Sequence, residues 1–359
     1  MKKLICLAFA LLAMTLTARA AGLPRDLTSA LPEGAGELLD GIDPGDAQGF
    51  SDGVGQILER VSEQAGDILR QRVRGAASVL LVVVLCGAVD GFYQGAGSGK
   101  VTVFLPMAGA LSVTLLTAGS LDSLIGLGAE TIGELNVFSK ALLPTLAAAT
   151  AASGAVTTAT FQQVATVFMA DLLMELVNGL LVPLVYLYIG TLTASACLPE
   201  NRLAPIADGL KKVITWILTT ALLLFTVYLS VARVISGGVD GATVKMAKAA
   251  ISGVVPVVGG IIAEASETVL AGAGMLKNTI GVFGTLAILA ACAYPFLQLG
   301  IQYLLYKLTA FLAAAVGAPR LCKFIDGLGG AFGLVLGMTG SCALLLLISV
   351  LSSVAAVAP

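Results

Sequence analysis

Long apolar runs fill this chain from residue 76 to its C-terminus and limit what it can fold into. Several contain about 18 or more residues with few charges, enough to cross the hydrocarbon core of a bilayer as a helix. Only 12% of the 359 residues are charged, against about a quarter in ordinary soluble domains. Because helices satisfy their backbone groups internally in lipid, the runs predict an all-α polytopic integral membrane protein, folded as a helical bundle.

The N-terminal region differs from the rest. Residues 1–20 have the pattern of a secretory signal peptide: two lysines, an apolar core and Ala18-Arg19-Ala20 as a cleavage site. An uncleaved signal anchor is the alternative, because Arg19 lies just before the cut. Residues 21–75 are polar, and the apolar spacing over 51–74 predicts an amphipathic helix. We therefore expect a small extracytoplasmic arm.

Residues 76–128 predict a first transmembrane hairpin, with spans near 76–93 and 101–119. A cleaved signal would leave the arm outside the cell. The basic loops near 202–212 and 320–323 are then favoured inside, since cytoplasmic loops are enriched in Lys and Arg.

The remainder of the chain contains an internal repeat. At an offset of 112 residues, Pro144 falls on Pro256 and Pro183 falls on Pro295. Two prolines in membrane segments that match at one offset are hard to obtain from shared hydrophobicity alone. The pattern predicts two tandem repeats of about 112 residues, at positions 129–240 and 241–359.

Each predicted repeat begins with a small-residue segment interrupted by helix breakers. Pro144 interrupts the first segment, and Pro256, Gly259 and Gly260 interrupt the second. Such segments persist in lipid only where the freed backbone groups face protein or a water-filled cavity. They predict Pro/Gly-broken helices or re-entrant hairpins inside the bundle, as in many secondary transporters. Packing kinks repaired by neighbouring helices are the alternative.

Ionisable residues in membrane segments are a second sign of function, because each is costly in hydrocarbon. Asp171 and Glu175 are four residues apart and share a helix face, and Asn178 continues that stripe. Two carboxylates that close repel one another, which suits proton or cation handling. The alternative is an interfacial stretch with both acids in water.

Further charges flank the second broken segment, where they either pair with one another or mark its wet ends. The candidate pathway or gating residues are Asp171, Glu175, Asn178, Pro144, Pro256, Gly259, Gly260, Glu264, Glu267 and Lys277. Small residues at Gly327, Gly330, Gly333 and Gly337 predict close helix packing instead.

Several classes of protein are excluded by what the sequence lacks. There is no histidine, which removes His-based triads and His metal sites. The six cysteines show no CxxC spacing, and no nucleotide motif is present. No basic stripe suits nucleic acid. We therefore predict a protein that is not an enzyme and has no catalytic, cofactor-binding or metal-binding residues.

The stretch KAAISGVVPVVGG at 248–260, followed by LKNTIGVFG at 276–284, resembles the signature region of the stage III sporulation protein AE family. The resemblance extends from about residue 130 to 350, and an N-terminal signal with a short variable arm also fits that family. The arm itself adds nothing to the match.

The resemblance implies a role in endospore formation. It implies a membrane-embedded subunit of a secretion-like channel between the mother cell and the engulfed forespore, located in the mother-cell membrane. The implied partners are other stage III sporulation membrane and ring subunits, a cytoplasmic secretion-type ATPase, and membrane lipid. A secondary transporter or permease-like protein for a small solute or ion is the alternative, favoured by the repeat and the broken helices.

Overall fold

The computed structural model describes residues 25–32, 34–39, 49–95, 101–154, 156–198, 203–228 and 259–355. Every regular element in these ranges is a helix. Six of the described helices are long and apolar enough to cross a membrane. This confirms the prediction of an all-α polytopic membrane protein. The predicted signal peptide lies outside the described residues.

The described elements follow one another in a simple order. They are α1 (Arg25–Ser29), α2 (Ala35–Leu39), α3 (Gly49–Gly95), α4 (Val101–Ala152), α5 (Val156–Leu176), a π-helical segment (Val177–Leu181), α6 (Val182–Cys197), α7 (Ala204–Tyr228), α8 (Gly259–Ala315) and α9 (Pro319–Ala355).

Three of the helices are far longer than a bilayer is thick. α3, α4 and α8 contain 47, 52 and 57 residues. At about 1.5 Å per residue their contour lengths are about 70–85 Å, against about 30 Å of hydrocarbon. In α3 the charges concentrate before residue 75, and in α4 they begin at Asp122. The apolar halves that adjoin the α3–α4 connection therefore fit the membrane, and the charged halves project beyond it.

Side-chain contacts give the direction of each helix. Gly87 of α3 lies against Val316, just after the end of α8, and Gly128 of α4 lies against Leu299 of α8. Gly284, near the start of α8, packs on Leu142 near the end of α4. α4 is therefore antiparallel to both α3 and α8. We call the end of the bundle at the α8–α9 turn the basic end, after Lys211, Lys307, Arg320 and Lys323, and the opposite end the arm end.

The helices at matching positions of the two predicted repeats run in the same direction. α5 and α6 pass from Asp171 beside α4 to Ser195 at the basic end, parallel to α8. α7 and α9 both start at the basic end, where Lys211 approaches Gly330. We call α6 with α7 the outer pair and α8 with α9 the inner pair. The duplication itself stays a prediction, but these helices are arranged in parallel rather than inverted.

The prolines are accommodated without the breaks that the sequence led us to expect. α4 continues through Pro144 and ends at Ala152. Thr145 Oγ1 donates to the carbonyl oxygen of Ala141 at 2.8 Å, in the turn that Pro144 perturbs. α8 likewise continues through Pro295. Ahead of Pro183 the chain instead forms the π-helical segment, which takes up the register change that proline imposes.

Glycine forms the turns that do end the long helices. After α4, Gly154 has a φ of 98°, and after α8, Gly317 has a φ of 85°. Ala318 N donates to Ala313 O at 3.3 Å and Gly317 N to Ala314 O at 3.2 Å, the hydrogen-bond pattern of a Schellman motif. A left-handed residue is required at both turns, and glycine adopts it without steric cost.

The glycine face of α9 brings its neighbours close, as predicted. A Cβ atom at Gly327 would lie 2.5 Å from Leu192 Cδ2, and one at Gly333 would lie 3.1 Å from the ring of Tyr303. Gly337 has only an ordinary contact, 3.9 Å from Leu218.

Two of the predicted domain boundaries fall inside helices. Residues 75 and 76 both lie in α3, and residues 128 and 129 both lie in α4. The amphipathic part of the arm and the first span form one continuous helix, because no proline separates them and the helix continues through Gly75.

Candidate functional site

The carboxylate of Asp171 on α5 faces α4, where it meets two polar side chains. Lys140 Nζ lies 2.8 Å from Asp171 Oδ1, and Asn136 Nδ2 donates to the same oxygen at 3.3 Å. Asn136 and Lys140 are four residues apart, so they point to one side of α4. At the α4–α5 contact the carboxylate is therefore held by one ion pair and by one hydrogen bond from a neutral amide.

This cluster lies at the surface of the chain. The side chains of Lys140 and Asp171 are 54% and 46% exposed, and Glu175 and Asn178 are exposed as well. Asn178 lies in the π-helical segment. Lys140 compensates the negative charge of Asp171, so Asp171 and Glu175 do not form a pair of unpartnered carboxylates. Asp171 thus pairs with Lys140, and Glu175, one turn away, makes no ion pair within the described part of the chain.

The other predicted residues lie further along α4 and α8. Pro144 is one turn beyond Lys140, and Lys277 is buried in α8. Gly259 and Gly260 are the first residues of α8, and Glu264 and Glu267 follow in the same helix. Pro256 lies outside the described residues. Asp171 contacts Asn136 and Lys140 of α4, and its hydrogen-bond and ion-pair partners in the described part of the chain include none of the other candidate residues.

A second polar group, which the sequence reasoning missed, lies between α3 and the inner pair. Arg72 Nη2 donates to Gln298 Oε1 at 2.6 Å. Gln298 and Gln302 are both at least nine-tenths buried in α8. Arg72 Nε and Gln302 Oε1 are buried and have no hydrogen-bond partner in the described part of the chain. The group therefore keeps one donor and one acceptor available, at a cost in stability.

The polar group continues across to α4. The phenol of Tyr306 on α8 faces Thr117 and Ser120 on α4 and Gln302 on its own helix. Four residues separate Gln298 from Gln302, and four more lead to Tyr306, so the three form a stripe on α8. Two glutamines at that spacing in an apolar span were the signal that was available in the sequence.

Neither group has the composition of a metal site. Among the described residues, no cluster of three or more His, Cys, Asp or Glu side chains is arranged to hold a metal ion.

Comparison with known proteins gives a consistent result. The family model described as stage III sporulation protein AE matches residues 40–357. The stage III sporulation protein AE of Bacillus subtilis (strain 168) is 26% identical over 212 residues, which are 59% of this chain and 53% of that protein. The matched region thus spans about half the length of this relative. No solved structure matches the chain.

Proposed function

The chain belongs to the stage III sporulation protein AE family, as residues 248–284 had indicated, and we propose that it is a membrane-embedded subunit of the mother-cell-to-forespore transenvelope channel. The observation that carries the proposal is the family match over residues 40–357. The role in sporulation follows from that match. Membership of a secretion-like complex, and location in the mother-cell membrane around the forespore, are the proposed refinements.

The lengths of the helices support this role. α3, α4 and α8 exceed the bilayer by about 40 Å or more, and the charged halves of α3 and α4 pack together with α8 at the arm end. If the arm is extracytoplasmic, this half of the bundle projects into the space between the two membranes. A subunit of a transenvelope assembly needs such a projection to contact ring subunits.

The parallel arrangement of the two helix pairs supports it as well. Secondary transporters commonly use inverted repeats to alternate access to a site between them. Here α6 and α8 run in one direction and α7 and α9 in the other. This arrangement favours a channel or scaffold subunit.

The first experiment is purification of the full chain from membranes of sporulating cells in mild detergent. We expect the secretion-type ATPase of the complex and its ring subunits to purify with it, and a fluorescent fusion to surround the forespore. An unrelated polytopic membrane protein with the same tag is the control. Purification of the chain alone, with fluorescence spread over the whole cell membrane, would contradict the proposal.

A secondary transporter for a small solute or ion is the second candidate. The buried Arg72–Gln298–Gln302 group favours it, because it offers an unpartnered donor and acceptor inside the bundle, close to where the apolar half of α3 begins. The variant Asp171→Asn, Glu175→Gln separates the two candidates. A proton-coupled transporter that uses these acids would lose its activity, whereas a channel subunit should support sporulation near the wild-type level.

A further inference from the structure

The basic end contains a pocket that neither the family match nor the proposed function explains. It is a cavity of 580 Å³ between α6, α7, α8 and α9. Its charged lining residues are Asp208, Lys211, Lys307, Arg320, Lys323 and Asp326. Four cationic and two anionic side chains leave an excess of two positive charges. Such an excess favours an anionic ligand.

One of these lysines is already paired, and another is not. Lys307 Nζ lies 2.5 Å from Asp326 Oδ1, so each neutralises the other. Lys211 makes no ion pair within the described part of the chain. Its Nζ reaches α9 because residue 330 is glycine: a Cβ atom there would lie 3.2 Å from Lys211 Nζ and 3.3 Å from Tyr188 Oη. The half-buried Lys211 is thus held in the pocket with its charge available.

Two helix N-termini add to the positive potential. The first turns of α7 and α9 line the pocket through Ala204, Ala207, Arg320 and Cys322. Both helices are long, with 25 and 37 residues. The positive ends of the helix dipoles attract anions, phosphate in particular.

An apolar stripe leads away from the pocket along α8. Phe311 lines the pocket and is 71% exposed, and Leu304 and Leu308 precede it on the same helix face with 64% and 54% exposure. Trp216 on α7 is also largely exposed, one turn beyond Lys212. A ligand that carries both an anionic group and hydrocarbon chains matches the pocket and the stripe together.

We propose that this pocket binds the phosphate headgroup of an anionic phospholipid, with its acyl chains along Leu304, Leu308 and Phe311. Lys211, Lys323 and the two helix N-termini contact the phosphate, and the stripe covers the chains. The site lies where membrane proteins bind anionic headgroups, between helices at a basic membrane surface. The inference does not depend on the role in sporulation.

The test measures lipid binding by the full chain in nanodiscs of phosphatidylcholine, titrated with phosphatidylglycerol. Each cation near the surface contributes about fivefold to the affinity for an anionic lipid. The variant Lys211→Gln, Lys323→Gln should therefore bind about 25-fold more weakly. The control Arg60→Gln, Lys140→Gln removes the same charge in the halves of α3 and α4 that project beyond the membrane and should bind like the wild type.

Three results would overturn the proposal. One is equal binding by wild type and the pocket variant, and another is equal weakening in the control. The third is tight binding of inorganic phosphate with no preference for phosphatidylglycerol, which would assign the pocket to a soluble phosphate compound. Should the double variant fold poorly, Lys323→Gln alone changes only an exposed side chain and should weaken binding about fivefold.

Discussion

The inner and outer pairs match at one offset in the sequence, yet they occupy opposite places in the fold. In the most apolar 18-residue stretches of α8 and α9, 67% and 61% of the residues are buried inside the protein. The corresponding shares are 39% for the span that contains α6 and 17% for α7. Both pairs are apolar enough for a membrane. Hydropathy therefore identifies helices that can cross, but it does not separate those that face protein from those that face lipid or another subunit.

The inner pair forms the centre of the bundle because α3, α4, α6 and α7 all pack around it. Its glycines let α4 and α6 approach closely, and its large side chains fill the interior. The outer pair contacts the bundle on one side and leaves Trp216, Leu223 and Leu224 exposed on the other. That exposed face is the one that lipid or a partner subunit would cover.

The largest contrast between the pairs is expected from removing one aromatic ring in each. Phe332 of α9 is fully buried, and its ring centroid lies 5.2 Å from that of Tyr306. Phe332→Ala should lower the free energy of unfolding by about 3–5 kcal/mol. Trp216→Ala in α7 should change it by less than about 0.5 kcal/mol, because that ring is 68% exposed. Denaturant unfolding in detergent measures both. Equal losses would remove the distinction between the pairs.

Replacing a glycine with a large side chain tests the same difference in packing between the inner and outer pairs. A Cβ atom at Gly128 would lie 2.3 Å from Val335 Cγ1 of α9, whereas one at Gly190 of α6 would have no atom within 4 Å. Gly128→Leu should therefore cost about 1–3 kcal/mol, and Gly190→Leu should be tolerated. The midpoint of thermal unfolding, followed by circular dichroism, compares the two. A destabilising Gly190→Leu would show that the outer pair is packed on both sides.

Each pair also makes a polar contact with a helix that precedes it in the sequence. Gln298→Leu removes the acceptor of Arg72 inside the bundle and should cost about 1–3 kcal/mol, toward the lower value because Arg72 is only half-buried. The matched change Tyr186→Phe removes the exposed hydrogen bond from Tyr186 Oη to Asp122 Oδ1, with an expected cost below about 0.5 kcal/mol. Denaturant unfolding again gives both values.

The double variant Arg72→Met, Gln298→Leu provides the internal check on that interpretation. It removes the charge together with its acceptor, so part of the lost stability should return. A double variant that is less stable than Gln298→Leu alone would show that Arg72 contributes through other contacts.

The smallest effect is expected at the α4–α5 contact. Because the Lys140–Asp171 pair is about half exposed, Lys140→Met should lower the free energy of unfolding by less than about 1 kcal/mol. The difference from the wild type should shrink further at high salt, since exposed ion pairs are screened. A larger loss, insensitive to salt, would indicate that the pair is covered in the assembled protein.

Much of the fold could be predicted from the sequence, and part of the site could not. The spans near 76–93 and 101–119 lie in the observed helices, because long apolar runs have few other solutions in lipid. The expected break at Pro144 is absent, because neighbouring helices and Thr145 support the perturbed turn. A single proline does not reveal whether such support exists.

In the candidate sites, too, the sequence identified individual residues, whereas only the structure showed their partners. Asp171 was identified as costly in a membrane span, but its partner Lys140 lies 31 positions earlier and on another helix, where local spacing carries no information. Gln298 and Gln302 were visible as polar residues in an apolar run. Their connection to Arg72 requires the packing of α3 against α8.

The sequence by itself determined that this chain is a helical membrane protein of the stage III sporulation protein AE family, because apolar length and a long motif are local properties. The tertiary structure alone decided which helix pair is central, that the pairs are parallel, and which charges meet at the basic end. Those properties depend on contacts between residues far apart in the chain. Two apolar helices of similar composition can each take either place, and only their packing against the other helices decides between them.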